Sequence, residues 1–382
     1  MGILSASCSF TRFKITEPVP KELWMEIPAK LRQFAFQDID DIAEERGWGW
    51  TSFEDMLDTQ WRSAPPEKGA YLAFALRLDT RRIPPAVLKK YVTIALREEE
   101  VRIKEQGKKF IARDRKNELR DQVKLRLMGR FLPIPAVFDV AWATDTNIVY
   151  LASTQTKLIE LFMNHFTLTF DLHLEPMTPY AWQLPCWTRK LWPVWMILNP
   201  PALYKRPTMN EPYLGQTTDM VLGQEFLTWL WFCSETQPMG FKDKEGVPFS
   251  MNLEQRIVVQ GGEGDSLETA SVSGSLSQLR EVRLGLRTGK KVTRALVRFE
   301  REELAWQTTI KAEDFSLGSF KTPKGEREED DDPDAAFLEK MYLMELCLGL
   351  FDACYKQFLD IRLSSLWDKE VQDMSAWMSQ QA

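Results

Sequence analysis

Apolar positions along this chain change their period several times, and each change predicts an element. "CSFTRFKI" alternates like a strand, and Ala70 to Asp79, "AYLAFALRLD", reads as a better one. Between them Leu23, Ile27 and Leu31 recur every four residues, which predicts a helix in the first half of "PKELWMEIPAKLRQFAF". From Pro84 the period is strongly helical. Val87, Tyr91, Ile94, Glu98 and Val101 fall on one stripe, interrupted only by Glu98. Gly107 breaks that pattern, and a second helix starts near Arg113 with Leu119, Val123 and Leu127 inward. Gly129 stands just past its end, and Pro133 and Pro135 prevent continuation. The simplest arrangement is an antiparallel helical hairpin over 86–130.

Downstream, "FDVAWAT" and "NIVYLAS" around Asp145, Thr146 and Asn147 predict a β-hairpin. A helix over 154–165 and a strand "TLTFDLHL" follow. Prolines crowd 176–215 and exclude long regular elements, so the Trp/Pro-rich stretch 176–225 reads as an irregular insertion. "LGQEFLTWLWFCSE" is a short helix, and strands return over Met251–Gly262 and Lys291–Lys311. An acidic linker, 323–336, precedes a C-terminal helical segment, 337–382. The fold class is α+β: an N-terminal region 1–175, the insertion, a second α+β region 226–322, the linker and the terminal helix.

Composition narrows the function. Hydrophobic content of 44% and charged content of 27% are ordinary for a globular protein. "WPVWMIL", in the Trp-rich stretch, is far short of the ~20 residues of a membrane span. Arg12 and Lys14 interrupt the first apolar stretch early, which argues against a secretory signal, and Ala6 breaks the myristoylation pattern after Gly2. Five widely spaced cysteines suggest neither a disulfide framework nor a metal pair, which fits a reducing cytoplasm.

Charge changes the picture more. The chain is acidic, with Lys+Arg 49 against Asp+Glu 55 and a net charge of −6. Yet Gly107 to Arg130 holds nine basic residues against three acids: Asp114, Glu118 and Asp121. Lys108, Lys109, Arg113, Arg120 and Lys124 are the hairpin's candidate phosphate contacts. A second concentration follows. If 277–288 is helical, Arg280, Arg283 and Arg287 share a face, and Lys290 and Lys291 lie just beyond it. If 291–299 is a strand, Arg294 and Arg298 point one way while Ala295, Val297 and Phe299 point the other. Rows of cations on regular elements are the footprint of a nucleic-acid surface. No helix-turn-helix, zinc-finger or RNP signature accompanies them, which favours backbone binding without sequence readout. The hairpin acids pair internally in this reading, so the later cluster is expected to dominate. A solvated helical face with internal pairs is the competing explanation.

Enzyme signatures are weak. "GLRTGKK" lacks one residue between its glycines, and Lys291 stands where a phosphate loop needs Ser or Thr. "GGEGDS" lacks the third glycine of a dinucleotide site. His165 and His173, which flank the expected strand, have no ligand partner spacing. No catalytic centre, metal site or cofactor is expected.

Three stretches, "FAFQDIDDIAEERGWGWTSFEDMLDTQW", "KGAYLAFALRLDTRRIPPAVLKKYVTIALREEEVRIKEQGKKFIARDRKNELRDQVKLRLMGRFLPIPAVFDVAW" and "TGKKVTRALVRF", together resemble the recombination-associated protein RdgC family. The resemblance covers most of 1–175 and, more weakly, about 225–310. It implies a cytoplasmic, nucleoid-associated, non-enzymatic protein. Such a protein forms a ring-shaped homodimer around double-stranded DNA, with possible single-stranded binding, and restrains RecA-type recombinase. It also implies an apolar ring-closing contact in "RFLPIPAVF", at Phe131 or Leu132. The chain departs from the family where relatives carry a Lys-Lys-Gln tract, since Ser271 to Ser275 are neutral here. The alternative is a module that keeps the fold but binds mainly a protein partner, through the aromatic insertion or the acidic segment 326–334.

Overall fold

A computed structural model describes residues 2–105, 110–181, 218–237, 239–261, 268–273, 282–283, 285–287, 289–323 and 332–379. The mixed strands and helices form an α+β fold around one large antiparallel sheet. The first strand, β1 (Cys8–Ile15), is its centre. Helix α1 (Leu23–Gln33) buries Leu23, Ile27 and Leu31, the residues its four-residue spacing picks out. β2 (Arg46–Ser52), the two-residue β3 (Glu67–Lys68) and β4 (Tyr71–Thr80) follow. After the helical hairpin come β5 (Ile134–Ala143) and β6 (Ile148–Leu151), which pair from Val140↔Leu151 to Ala143↔Ile148, the hairpin expected at Asp145–Asn147.

The strand expected at "TLTF" is instead the end of a helix, α4 (Thr156–Phe170). Phe162, Phe166 and Phe170, one per turn, are all buried against the sheet, while Leu168 is exposed. The β-branched threonines are accommodated because Thr169 Oγ1 donates to the His165 carbonyl (2.7 Å) and accepts from Trp50 Nε1 (2.8 Å). Asp171, at φ 58°, ends the helix, and only β7 (Leu174–Pro176) is extended. His165 is therefore a buried helical residue and not a strand flank. His173 is exposed and bound to Glu17 (2.6 Å).

Helix α5 (Thr218–Thr236) is buried almost all round, and Gly223 lets it approach the Ala312 carbonyl, where a Cβ would sit 1.8 Å away. β8 (Phe241–Lys242), β9 (Pro248–Gly261), β10 (Glu268–Ser273), β11 (Lys291–Arg301), β12 (Leu304–Lys311) and β13 (Leu317–Lys321) complete the sheet. Its order is β10-β9-β11-β12-β13-β1-β6-β5-β4-β2. A bulged β1 joins the halves: Cys8 and Phe10 pair with β13, whereas Thr11 to Lys14 pair with β6. The neutral Ser271 to Ser273 lie in the terminal strand β10.

The acidic linker ends earlier than expected. Helix α6 (Pro333–Arg362) begins inside 323–336, because Asp332 accepts from the Asp334 N–H (3.1 Å) and Pro333 occupies the first turn. The terminal segment is two helices, since α7 (Trp367–Ser379) follows a break. α6 docks on the first half of the sheet through polar pairs: Asp334 with Lys68, Asp352 with Arg12 (3.0 Å) and Glu345 with Tyr150 (3.3 Å). Aliphatic and aromatic side chains of α1, α4 and the neighbouring strands form one apolar cluster, and α5, α6 and α7 with the second half of the sheet form another. Of the stretch 176–225 expected to be irregular, 182–217 lie outside the described residues and the last positions belong to α5, which begins at Thr218; of the acidic segment 326–334, 326–331 lie outside the described residues. Among the described residues no helix is long and apolar enough to cross a membrane.

Candidate nucleic-acid interface

The basic hairpin consists of α2 (Pro85–Glu105) and α3 (Arg113–Met128). Side chains at both ends show that the helices run antiparallel. Arg115, at the start of α3, donates through Nε to Glu99 near the end of α2 (2.9 Å), and Arg126 lies over the Tyr91 ring (5.9 Å). The expected α2 stripe holds only over its first turns. Val87 and Tyr91 are half-covered, as are Leu88, Val92, Ala95, Leu96 and Ile103, whereas Ile94, Glu98 and Val101 face solvent and Glu99 is buried. A carboxylate can take that inward position because Arg115 and Arg102 enclose it. Their hydrogen bonds and charge hold Glu99 below the usual carboxylate range.

On α3, Leu119, Val123 and Leu127 are buried as their spacing predicts, and Gly129 follows the helix with an ordinary φ of −70°. Arg113, Lys116, Arg120 and Lys124 stand at i, i+3, i+7 and i+11, so they share one flank of this helix. Asp114, Glu118 and Asp121, at i, i+4 and i+7, occupy a different stripe. Of these acids only Glu118 is ion-paired among the described residues, and its partner is Arg115 (2.8 Å), outside the row. Hence the acids do not neutralise the row. Arg113, Lys116 and Arg120 are exposed with no ion pair among the described residues. Lys124 is tied to Glu45 (2.7 Å), whose carboxyl that contact holds below its ordinary value. Glu45 belongs to a loop wound around buried Arg81, whose guanidinium donates to the carbonyls of Ile39 (2.7 Å), Asp40 (3.0 Å) and Ile42. Composition counted Lys116 but did not single it out; the i, i+3, i+7, i+11 spacing is the signal that does.

The later cluster is weaker than expected. Only Val282, Arg283, Gly285, Leu286 and Arg287 of the expected helix are described, and they are helical; Arg280 lies outside the described residues. Arg283 donates to Glu235 (3.0 Å) and lies over Trp377 (5.2 Å). Gly289, at φ 95°, closes this turn and leads into β11, an order of helix, turn and strand opposite to that of a phosphate loop. The Lys290 stem packs against Gly261 and Gly285. Lys291 is half-buried, and burial lowers its pKa despite the opposing effect of Glu225. On β11, Ala295, Val297 and Phe299 are buried and Arg294 and Arg298 are exposed, as alternation requires. Arg298, however, donates to Glu300 (2.6 Å) and lies 3.9 Å from Glu254. Arg287 and Arg294 are left open among the described residues. Two cations of this cluster are thus neutralised, Arg283 by Glu235 of a distant helix and Arg298 by Glu300 two positions on and by Glu254 of the neighbouring strand, whereas the α3 row keeps Arg113, Lys116 and Arg120 open among the described residues.

Lys108 and Lys109 lie outside the described residues, between the two hairpin helices. Beyond α3, Leu132 is 76% exposed and Phe131 half-buried, immediately before β5. No family model and no curated protein matches this chain.

Proposed function

We propose that this chain binds double-stranded DNA through its phosphates, without reading sequence. It does so as a ring-shaped homodimer of the RdgC kind that limits access of a RecA-type recombinase. The observation that carries the reading is the α3 flank, where Arg113, Lys116 and Arg120 are exposed and unpaired among the described residues. A protein of net charge −6 can still hold phosphate if its cations line one surface. Guanidinium and ammonium groups without carboxylate partners offer their full charge to a backbone oxygen. Nothing in the row is arranged as a base-reading motif, which accords with binding of any sequence.

A titration of random-sequence duplex tests this. Two copies bring six such cations to one duplex, so affinity should fall about 10³-fold between 50 and 200 mM salt. A flat salt response, or strong preference for one sequence, overturns the reading. Absence of DNA binding altogether leaves the protein-interaction alternative.

A further inference from the structure

We propose that Phe110, at the connection between α2 and α3, stacks on an unpaired base, so that the preferred nucleic acid has a bulge or other local unstacking. This deepens the DNA reading and rests on it. Phe110 is 87% exposed, although the next residue, Ile111, is buried. The ring therefore stands in solvent next to a buried residue.

The surroundings decide what can cover it. Arg113 and Lys116 at the start of α3 and Lys104 at the end of α2 are exposed, have no ion pair among the described residues, and outnumber the exposed acids beside them, Glu105 and Asp114. An apolar protein surface closing over Phe110 would have to strip water from these cations without compensation. A nucleic acid suits both features at once: its phosphates meet the cations and a base face covers the ring. In a fully stacked duplex no base face is free, and insertion requires unstacking, which costs least where a base is already unpaired. The α3 row would track the backbone while Phe110 senses the defect.

The test uses the full chain with two duplexes of equal length, one carrying a single-base bulge with 2-aminopurine in it. The wild type should bind the bulged duplex about tenfold more tightly, as one base–aromatic stack allows. Phe110→Ala should remove that preference and the change in 2-aminopurine emission, while leaving the plain-duplex affinity and the salt slope close to wild type. Phe110→Trp should retain both. If the wild type binds both duplexes equally and Phe110→Ala changes nothing, while Arg113→Ala with Lys116→Ala and Arg120→Ala still weakens binding, the stacking role is wrong and the DNA reading stands. If neither duplex binds, both readings fail. If Phe110→Ala alters sedimentation or binding to anionic lipid vesicles but not the bulge preference, the residue is a contact of another kind and the proposal is overturned.

Discussion

Replacing Arg113, Lys116 and Arg120 with alanine should damage DNA binding far more than replacing Arg283, Arg287 and Arg298. Both triples remove three positive charges, so the long-range field of the protein changes equally in each. They differ in what the cations already touch. All three of the first set are exposed without ion pairs among the described residues. In the second set Arg283 is held by Glu235 and Arg298 by Glu300, which leaves Arg287 alone open. Each phosphate contact contributes about 0.9 to the slope of log affinity against log salt. For each copy on the DNA, the first triple should therefore lower the slope by ~2.7 and the second by ~0.9. Between 50 and 200 mM this is the loss of about 40-fold of salt sensitivity in one case and about 3- to 4-fold in the other. Fluorescence anisotropy on a random duplex across that salt range measures both slopes. Equal slope losses, or a larger loss in the second triple, would refute the ranking of cations by their ion pairs.

Further outcomes follow from the packing. Phe166→Ala should cost about 3–5 kcal/mol in urea unfolding, and Leu168→Ala, at a position 67% exposed, less than ~0.5; comparable costs would restore a strand over 167–170, where 166 and 168 share a face. Burial lowers the His165 pKa to about 4, below its unfolded value near 6.5, so the unfolded state binds the extra proton first. The His165 contribution to stability should then be constant above pH ~6.5 and fall by roughly 2–4 kcal/mol toward pH 4, and His165→Phe should flatten that part of the dependence in denaturant midpoints. Sedimentation should show a dimer that Leu132→Asp loosens with little change in thermal midpoint, since the side chain is exposed; a monomeric wild type would end the ring reading.

Local periodicity alone determined a large part of this protein. Leu23, Ile27 and Leu31, Leu119, Val123 and Leu127, and the alternation along β11 were legible because each element buries one face against a neighbour already implied by the pattern. The pattern failed where a side chain's environment came from elsewhere. "TLTF" has strand propensity, yet the aromatic pocket formed by Trp50, Phe74 and Trp142 accepts Phe162, Phe166 and Phe170 at helical spacing, and tertiary packing overrides a weak local preference. Likewise the inward place of Glu99 depends on Arg115 of the next helix.

The candidate site divides in the same way. The existence of two basic concentrations, and the face shared by Arg113, Lys116, Arg120 and Lys124, can be read from residue order, because helical spacing fixes which side chains are neighbours. Which of those cations remain available cannot. Glu45 takes Lys124 across 79 positions, Glu235 takes Arg283 across 48, and these partners meet only because the antiparallel sheet and its helices bring them within hydrogen-bond reach. Charge counts are a property of the sequence; charge neutralisation depends on distances of a few ångströms, and only the folded chain sets those.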